Sequence, residues 1–233
     1  MLDEAAMGAA IDGIVGYASP REAMALYGAV VNAPAGADGA VVVEIGAYGG
    51  RSTIPLALGV QERGRGYVVT IDPMPQPSMP ANLARAGVSP VVRHVGMGSH
   101  AARVALGDLD VSVLYVDGSH AYEDVQADAQ DWLPLVRNGG VAAFNDPSWP
   151  GVYRVLREQV LVAGSRFRRP TLVDNTVFFT ACAEPWTAED GRALRRMVSV
   201  LAIRYRLALY RHRHPVPAWA VRAARSVLER AAK

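Results

Sequence analysis

Short apolar runs alternate with longer amphipathic segments along most of this chain. Five runs rich in Val and Ile lie at 41–45, 67–71, 91–95, 111–116 and 141–144. Short β-branched runs of this kind are typical of strands in a parallel sheet that helices cover on both faces. Two further runs, Arg166–Val173 and Thr176–Ala181, are joined by Asp174 and Asn175. That pair favours a tight turn, so these two runs predict a terminal antiparallel hairpin.

The residues before the first strand carry helical signals. Ser19, Pro20 and Glu22 supply an N-cap, a proline in the first turn and a capping-box carboxylate. Residues 32–39 are rich in Pro, Gly and Ala and indicate a loop. We therefore predict an α/β fold with a doubly wound sheet in residues 37–183, mostly parallel. An N-terminal helical cap would span residues 1–36, and a C-terminal basic helical extension residues 184–233.

Composition narrows the class of protein. The chain has 233 residues, 51% of them hydrophobic, and no apolar run reaches the roughly 20 residues of a membrane-spanning helix. Its first residues are acidic and lack the basic leader of a signal peptide. The single cysteine, Cys182, excludes an internal disulfide and a cysteine-built metal site, and a buried strand position is its simplest role. We expect a cytoplasmic protein.

Charge is unevenly distributed. Residues 192–233 hold 11 Lys or Arg against one acid, about +10, whereas the remainder holds 13 basic and 21 acidic residues, about −8. Such a tail fits a nucleic acid, a membrane surface or the acidic body of a second subunit. Leu194, Met197 and Leu201 follow helical spacing, and no aromatic stacking motif accompanies them. We therefore favour a docking helix of a homodimer, with a peripheral membrane contact next, and expect no nucleic acid.

The first strand leads into a glycine-rich turn. Glu44 ends the apolar run, Gly46 opens the turn, and a helix begins near Ser52. This order brings main-chain N–H groups and a helix N-terminus against a ligand. A dinucleotide site would need a glycine where Tyr48 stands, and Glu44 would repel phosphate but attract a cation. S-adenosylmethionine is a cationic ligand without phosphate, and a plain tight turn without a ligand is the alternative.

The second and third strands also end in candidate ligand contacts. Asp72 follows the second strand, where a carboxylate can accept hydrogen bonds from ribose hydroxyls or simply cap a turn ahead of Pro73. Ser99 follows the third strand and either caps the next helix or contacts an adenine. Met97 is a candidate to pack on the adenine face.

The fourth and fifth strands end in oxygen-bearing side chains. Asp117 follows one, Asn145 and Asp146 follow the other, and neighbouring strands lie about 4.8 Å apart. Three such oxygens suit Mg²⁺, although both acids could merely cap adjacent loops. His120, three residues past Asp117, could take the proton of a metal-bound hydroxyl or be an ordinary surface residue. Trp149 could stack on a sugar ring or pack against the next helix.

Together, these motifs resemble one branch of the class I S-adenosylmethionine-dependent methyltransferases. The pattern is Glu-x-Gly-x-x-x-Gly, a strand-end Asp, Asp-Gly-x-His, and x-Asp before a Pro-Gly segment. Over about residues 14–181 the likeness is strongest to the macrocin and mycinamicin sugar O-methyltransferases and to actinobacterial methyltransferases of methylated mannosides. It implies a seven-stranded Rossmann-like sheet, S-adenosylmethionine as methyl donor, Mg²⁺ between the fourth and fifth strands, and a histidine base.

Carried onto this chain, the resemblance implies a catalytic His120, a substrate contact at Trp149, and a sugar or glycoside as the small-molecule acceptor. The implied metal ligands are Asp117, Asn145 and Asp146. Asn145 departs from relatives that have an acid or a histidine there, and an amide is a weaker ligand. The implied cofactor contacts are Glu44, Gly46, Tyr48, Ser52, Asp72, Met97, Ser99 and Asp117. A catechol-like acceptor, an RNA modifier and a non-catalytic cofactor binder remain as alternatives.

Overall fold

The computed structural model describes residues 2–213. The strands are β1 Ala40–Ile45, β2 Gly66–Ile71, β3 Val92–Val95, β4 Val111–Val116, β5 Val136–Asn145, β6 Phe167–Val173 and β7 Thr176–Ala181. They form one seven-stranded sheet in the order β3-β2-β1-β4-β5-β7-β6. The first five strands are parallel, and β7 runs antiparallel to both β5 and β6. The predicted α/β class, with its terminal hairpin, is therefore confirmed.

Within residues 2–213, eight α-helices surround the sheet. They are α1 Glu4–Ala10, α2 Pro20–Asn32, α3 Thr53–Arg63, α4 Met79–Arg85, α5 Ser99–Leu106, α6 Tyr122–Trp132, α7 Pro150–Val155 and α8 Ala188–Arg213. The predicted capping box of α2 is present: the Ser19 hydroxyl accepts from the Glu22 N–H, and the Glu22 carboxylate accepts from the Ser19 N–H. These two reciprocal bonds fix the start of α2.

Strand order reverses between β1 and β4, because the chain continues outward to β2 and β3 before it returns to β4. In doubly wound sheets a crevice opens at this switch point, beyond the carboxyl ends of the strands. The residues that follow β1, β2 and β4 are therefore placed to line one site. The glycine turn, Asp72 and Asp117 all lie in those three connections.

Two elements differ from the sequence prediction. The fifth strand begins at Val136 rather than at Val141, with a register shift against β4. Gly139 and Gly140 interrupt the β-branched pattern and allow the irregular pairing, with Gly139 at a φ of +77°. The sequence also predicts a helix around residues 152–162; in the structure α7 ends at Val155, and a π-helical turn covers Leu156–Val160.

Each face of the sheet carries its own apolar core. Trp132, Phe144 and Met197 belong to the core shared by α6, β5 and α8. Leu26 and Ile54 belong to the core that α2 and α3 form on the other face. Apolar cover on both faces explains why the strands read as continuous apolar runs. No helix within residues 2–213 is long and apolar enough to cross a lipid bilayer.

The helix of the C-terminal extension begins with a cap. The Thr187 hydroxyl and the Asp190 carboxylate exchange hydrogen bonds with each other's main-chain N–H groups at 3.1 and 2.9 Å. Helix α8 then packs Met197 and Leu201 into the core. Residues 214–233, which carry part of the basic tail, lie outside the described residues. The division of the chain at residues 36 and 183, the homodimer and the membrane contact stay predictions.

Candidate active site

A cavity of about 930 Å³ opens beyond the carboxyl ends of β1, β2 and β4. Its wall includes the glycine turn at 46–49, the segment 117–120 after β4, and residues 98–101 at the start of α5. The sequence prediction had assigned ligand contacts to each of these three connections. The structure brings them together around one space.

Asp72 organises the glycine turn. Its Oδ2 accepts the N–H groups of Ala47 at 3.1 Å and Tyr48 at 2.8 Å, and its Oδ1 accepts the N–H of Met74 at 2.8 Å. The turn-capping role weighed for Asp72 is thus present. Asp72 also lines the cavity, and a carboxylate has about four acceptor positions, so capacity for a ligand hydroxyl remains.

Tight packing explains the glycine at position 46. A Cβ there would lie 2.2 Å from the carbonyl oxygen of Asp117, and the residue has a φ of +94°. Tyr48 also has a positive φ, +43°, and its side chain is exposed at the cavity. Ser52 lines the same wall and is buried. The turn therefore sets the position of the Asp117 loop directly.

Glu44 lies behind the cavity wall rather than on it. Its side chain is fully buried, and Oε2 accepts the hydroxyls of Thr53 at 2.6 Å and Thr70 at 2.7 Å. Oε1 has no hydrogen-bond partner among the described residues. Burial raises the pKa of this carboxyl. Hydrogen bonds from the Ser52, Thr53 and Thr70 hydroxyls oppose that rise.

Ser99 and Asp128 form the far end of the cavity. The Ser99 hydroxyl donates to the Asp128 carboxylate, and both residues line the wall. Burial raises the pKa of Asp128 to about 6. Sequence reasoning missed Asp128, although one signal was available: it shares the buried face of α6 with Val125 and Trp132. The predicted adenine contact Met97 is 36% exposed and does not line the cavity.

Asp117 and Asn145 meet across the ends of β4 and β5, as predicted. Nδ2 of Asn145 donates to Oδ1 of Asp117 at 2.8 Å, and the Tyr115 hydroxyl donates to Oδ2 at 3.1 Å. Burial raises the pKa of Asp117 to about 7; the two hydrogen bonds oppose this rise, and the charges of Asp146 and Glu44 add to it. The site is therefore rich in negative charge and favours a cation.

His120 lines the cavity beside Asp146 and Trp149. Its Nε2 lies 3.4 Å from Oδ2 of Asp146, and its ring stacks on the Trp149 indole with centroids 4.7 Å apart. The contact with Asp146 raises the pKa of the imidazole, and partial burial opposes that rise. Asp146 itself has a φ of +48°. The imidazole is thus oriented by two neighbours at once.

Magnesium chemistry fits this donor set in part. Asp117 and Asp146 supply carboxylate oxygens, the ligands that Mg²⁺ prefers. Asn145, however, turns its amide nitrogen toward Asp117 and its oxygen toward Thr176. Among residues 2–213 no three His, Cys, Asp or Glu side chains gather as a metal-binding group. Rotation of the Asn145 amide by a half turn would bring its oxygen to the Asp117 side.

An N-terminal segment that sequence reasoning did not assign to the site also lines the cavity. Residues 15–18, between α1 and α2, lie against the glycine turn. Arg51 fastens them: Nε donates to the Ala18 carbonyl at 2.8 Å, and Nη1 donates to the carbonyls of Ile11 at 2.7 Å and Ile14 at 3.0 Å. A Cβ on Gly49 would lie 2.4 Å from the Val15 oxygen. The role of Arg51 depends on distant residues, so no local pattern indicates it.

Comparison with known proteins identifies the type of domain and the fold. A family model described as a methyltransferase domain matches residues 43–147. The cofactor-bound protein Rv0187 from MTB is 24% identical, with a TM-score of 0.58 over 76% of this chain and 88% of that one. TomG, an O-methyltransferase of tomaymycin synthesis from Streptomyces achromogenes solved with S-adenosylmethionine, is 24% identical, with a TM-score of 0.56 over 77% and 88%.

A third structure has a named sugar substrate. CalS11, a TDP-rhamnose 3′-O-methyltransferase of calicheamicin biosynthesis, is 19% identical, with a TM-score of 0.51 over 68% of this chain and 76% of that one. No curated protein matches the sequence. The predicted class is supported at the level of domain and fold: residues 43–147 match a methyltransferase domain, and the chain has the fold of O-methyltransferases of known structure.

Proposed function

We propose that this protein transfers the methyl group of S-adenosylmethionine to a hydroxyl of a sugar or glycoside, with His120 as general base. One observation carries the proposal: an imidazole at the cavity wall lies between a carboxylate and an exposed indole. A base for a weakly acidic hydroxyl and a flat apolar surface for a ring are what such an acceptor needs.

The cofactor would lie along the glycine turn. Asp72 would accept the ribose hydroxyls, and Ser99 with Asp128 would contact the adenine at the far end of the cavity. The buried charge of Glu44 and the carboxylates of Asp72 and Asp117 favour the cationic groups of S-adenosylmethionine. A phosphate-bearing cofactor would be repelled by the same charges.

His120 would remove the acceptor proton. In the neutral imidazole one ring nitrogen carries a hydrogen and the other accepts. Since Nε2 faces Asp146, an Nε2–H directed at that carboxylate leaves Nδ1 free to take the proton. Asp146 would then stabilise the imidazolium. The acceptor oxygen would then take the methyl group and S-adenosylhomocysteine would leave, while the protein contributes mainly positioning and charge stabilisation.

Asp117, Asn145 and Asp146 are the residues that would hold Mg²⁺. When bound, Mg²⁺ would lower the pKa of an acceptor hydroxyl. Asp117 and Asp146 fit this role by their oxygens and by the mutual repulsion that a cation would relieve. Asn145 fits only after its amide turns. We therefore regard magnesium assistance as a separate, testable part of the proposal.

The acceptor class rests on Trp149. Its side chain is 53% exposed and its ring lies beside His120, so a pyranose stacked on the indole would present a hydroxyl to the base. Among the proteins of similar fold, one acts on TDP-rhamnose, which lends support at the level of fold only. A catechol-like phenol is the main competing acceptor.

A single acceptor panel tests the function. The purified protein is incubated with methyl-labelled S-adenosylmethionine and matched neutral glycosides, sugar nucleotides and catechols, with Mg²⁺ or with a chelator. We expect label in a glycoside or sugar product, and a lower rate with chelator. Transfer only to catechols would show that the acceptor is a phenol rather than a sugar. Undiminished transfer in the presence of chelator would show that magnesium has no part in the reaction. Cofactor binding without transfer to any acceptor would contradict the enzymatic proposal.

A further inference from the structure

Asn145 is held by a chain of hydrogen bonds that runs from the cavity into the interior. Its Nδ2 donates to Asp117 at 2.8 Å, and its Oδ1 lies 3.2 Å from Oγ1 of Thr176. The same Thr176 oxygen lies 3.0 Å from Oε1 of Glu22, the capping-box residue of α2. Asn145, Thr176 and Glu22 are all buried. Buried polar groups depend on their protein partners, so each contact needs a hydrogen.

The number of available hydrogens shows which group donates in each of these hydrogen bonds. A threonine hydroxyl carries one hydrogen, and Thr176 is the donor in its contacts with both Glu22 and Asn145. Oδ1 of Asn145 carries none, so its contact with Thr176 requires the hydroxyl hydrogen. Oε1 of Glu22 is likewise the acceptor in its contact with Thr176, so the one hydrogen lies between the two acceptor oxygens.

Several charged and polar groups besides Thr176 surround Glu22. Burial raises the pKa of Glu22 and the charge of Asp174 adds to the rise, while bonds from the Ser19 and Asn175 N–H groups and the Thr176 hydroxyl oppose it. Asp174 in turn accepts from Ser19 and Arg21.

Two further charged or titratable side chains reach the same region. Arg204 of α8 donates to the Asn175 side chain at 2.9 Å, and the Tyr115 hydroxyl interacts electrostatically with Glu22. The turn between β6 and β7 is thus fastened to α2 on one side and to α8 on the other. In addition, the Asn175 carbonyl of this turn accepts a hydrogen bond from the Asp146 N–H at 2.8 Å.

We infer that Thr176 is a positioning residue whose single hydroxyl hydrogen fixes which edge of the Asn145 amide faces Asp117. In the orientation observed, Asn145 presents an N–H to Asp117 and orients that carboxylate. Without the hydroxyl hydrogen, the amide can turn, and Asp117 then loses the N–H that orients its carboxylate. The consequence for catalysis rests on the proposed function, but the orientation itself does not.

Side-chain amide NMR tests the orientation without any activity. The chain has five asparagines, Asn32, Asn82, Asn138, Asn145 and Asn175, so a sample labelled with ¹⁵N only at asparagine gives five side-chain pairs. Loss of a pair in Asn145→Asp assigns Asn145. The pair of Asn82, which donates to the Gly49 carbonyl at 2.9 Å, reports whether the fold is intact.

Three variants provide the comparison. Thr176→Val removes the hydroxyl at nearly constant shape, Thr176→Ser restores it, and Thr180→Val makes the same change farther along β7. We expect the Asn145 pair to shift or double in Thr176→Val alone, with the Asn82 pair unchanged in all three. An Asn145 pair that is the same in Thr176→Val as in the parent protein would overturn the inference. So would a shift of the same size in Thr176→Ser.

Kinetics separate this inference from the proposed function. With an acceptor from the panel, Thr176→Val should lower kcat roughly 10-fold to 100-fold while the Kd for S-adenosylhomocysteine changes less than about 2-fold. Thr176→Ser should recover most of the loss, and Thr180→Val should show none. If the parent protein methylates no glycoside but the amide signals behave as expected, the proposed function fails and the positioning inference stands. Unchanged kcat in Thr176→Val, despite altered amide signals, would confine Thr176 to a structural role.

Discussion

Nε2 of His120 lies 3.4 Å from Oδ2 of Asp146, although the two residues follow different strands. Asp146 belongs to the loop after β5, which is fixed by the bond of its N–H to the Asn175 carbonyl in the β6–β7 turn. The orientation of the imidazole therefore depends on a hairpin distant in sequence. In the proposed mechanism this pair sets both the tautomer and the proton affinity of the base.

Asp146→Asn should shift the pH dependence of methyl transfer. The carboxylate raises the pKa of His120 above its ordinary value, 6.5. A base acts when neutral, so kcat/KM should rise as pH increases through that raised pKa, and the variant should begin its rise at lower pH with a lower plateau. Rates measured from about pH 5 to 9 at saturating Mg²⁺ provide the check. The variant also removes the Asp146 charge that adds to the raised pKa of Asp117, so both groups move the profile toward lower pH; superimposable profiles would contradict the assignment.

Trp149→Ala should weaken acceptor binding more than cofactor binding. Loss of one stacking surface corresponds to about 1 kcal/mol, or a KM increase of roughly 3-fold to 10-fold for the glycoside. Trp149→Phe retains an aromatic face and should fall between the parent and the alanine variant. Steady-state kinetics with the panel acceptor give the KM values. Equal KM values in all three proteins would show that the indole only packs against the imidazole.

Gly46→Ala should destabilise the protein and displace the Asp117 loop. The new Cβ would meet the Asp117 carbonyl at 2.2 Å, in a backbone conformation that alanine adopts poorly. A cost of about 2 to 4 kcal/mol in the free energy of unfolding is expected. Gly98→Ala is the control on the same cavity wall, because its Cβ meets nothing within 4 Å. Chemical denaturation of both variants decides the point, and similar losses of stability in the two would refute the packing argument.

Asp128→Asn should stabilise the unliganded protein at neutral and alkaline pH. Since the pKa of Asp128 is raised from 3.8 to about 6 in the folded state, folding favours the protonated carboxyl. The free energy of unfolding therefore falls as pH rises from about 4 to about 6, and the penalty is complete above that range. The amide avoids it, so the gain should be about 1 to 3 kcal/mol at pH near 8 and close to zero at pH near 4.

Denaturation curves at the two pH values measure that gain. Asp108→Asn, on a side chain that is 91% exposed, is the matched control and should change stability by less than about 0.5 kcal/mol at either pH. An equal gain for Asp128→Asn at both pH values would indicate that burial of the charge is not the cause.

Local patterns were sufficient for most of the fold. The strands Val111–Val116 and Thr176–Ala181 have the predicted bounds because their β-branched runs end at polar turns. The start of β5 at Val136 was missed, since Gly139 and Gly140 break the apolar run and the strand continues only through an irregular pairing with β4. A periodic pattern of apolar residues identifies regularly paired strands and does not identify strands that glycines interrupt.

The candidate site was predicted where the chemistry is local. His120 and Asp117 follow one strand, and their position at the switch point of the sheet follows from its topology. Arg51 and Thr176 were missed because each acts through a residue more than thirty positions away in sequence, on elements whose packing no local pattern predicts. Asp128 was missed as well, but it could have been predicted from the sequence, because it is an acid on the otherwise apolar face of α6.

His120→Ala provides the most direct test of the central claim. Parent and variant are compared in single-turnover transfer from methyl-labelled S-adenosylmethionine to a panel glycoside, with calorimetric binding of S-adenosylhomocysteine as the control for fold and cofactor site. The account predicts a loss of roughly 10²-fold to 10⁴-fold in the transfer rate, with the cofactor Kd nearly unchanged. Transfer at the parent rate in the variant would contradict it.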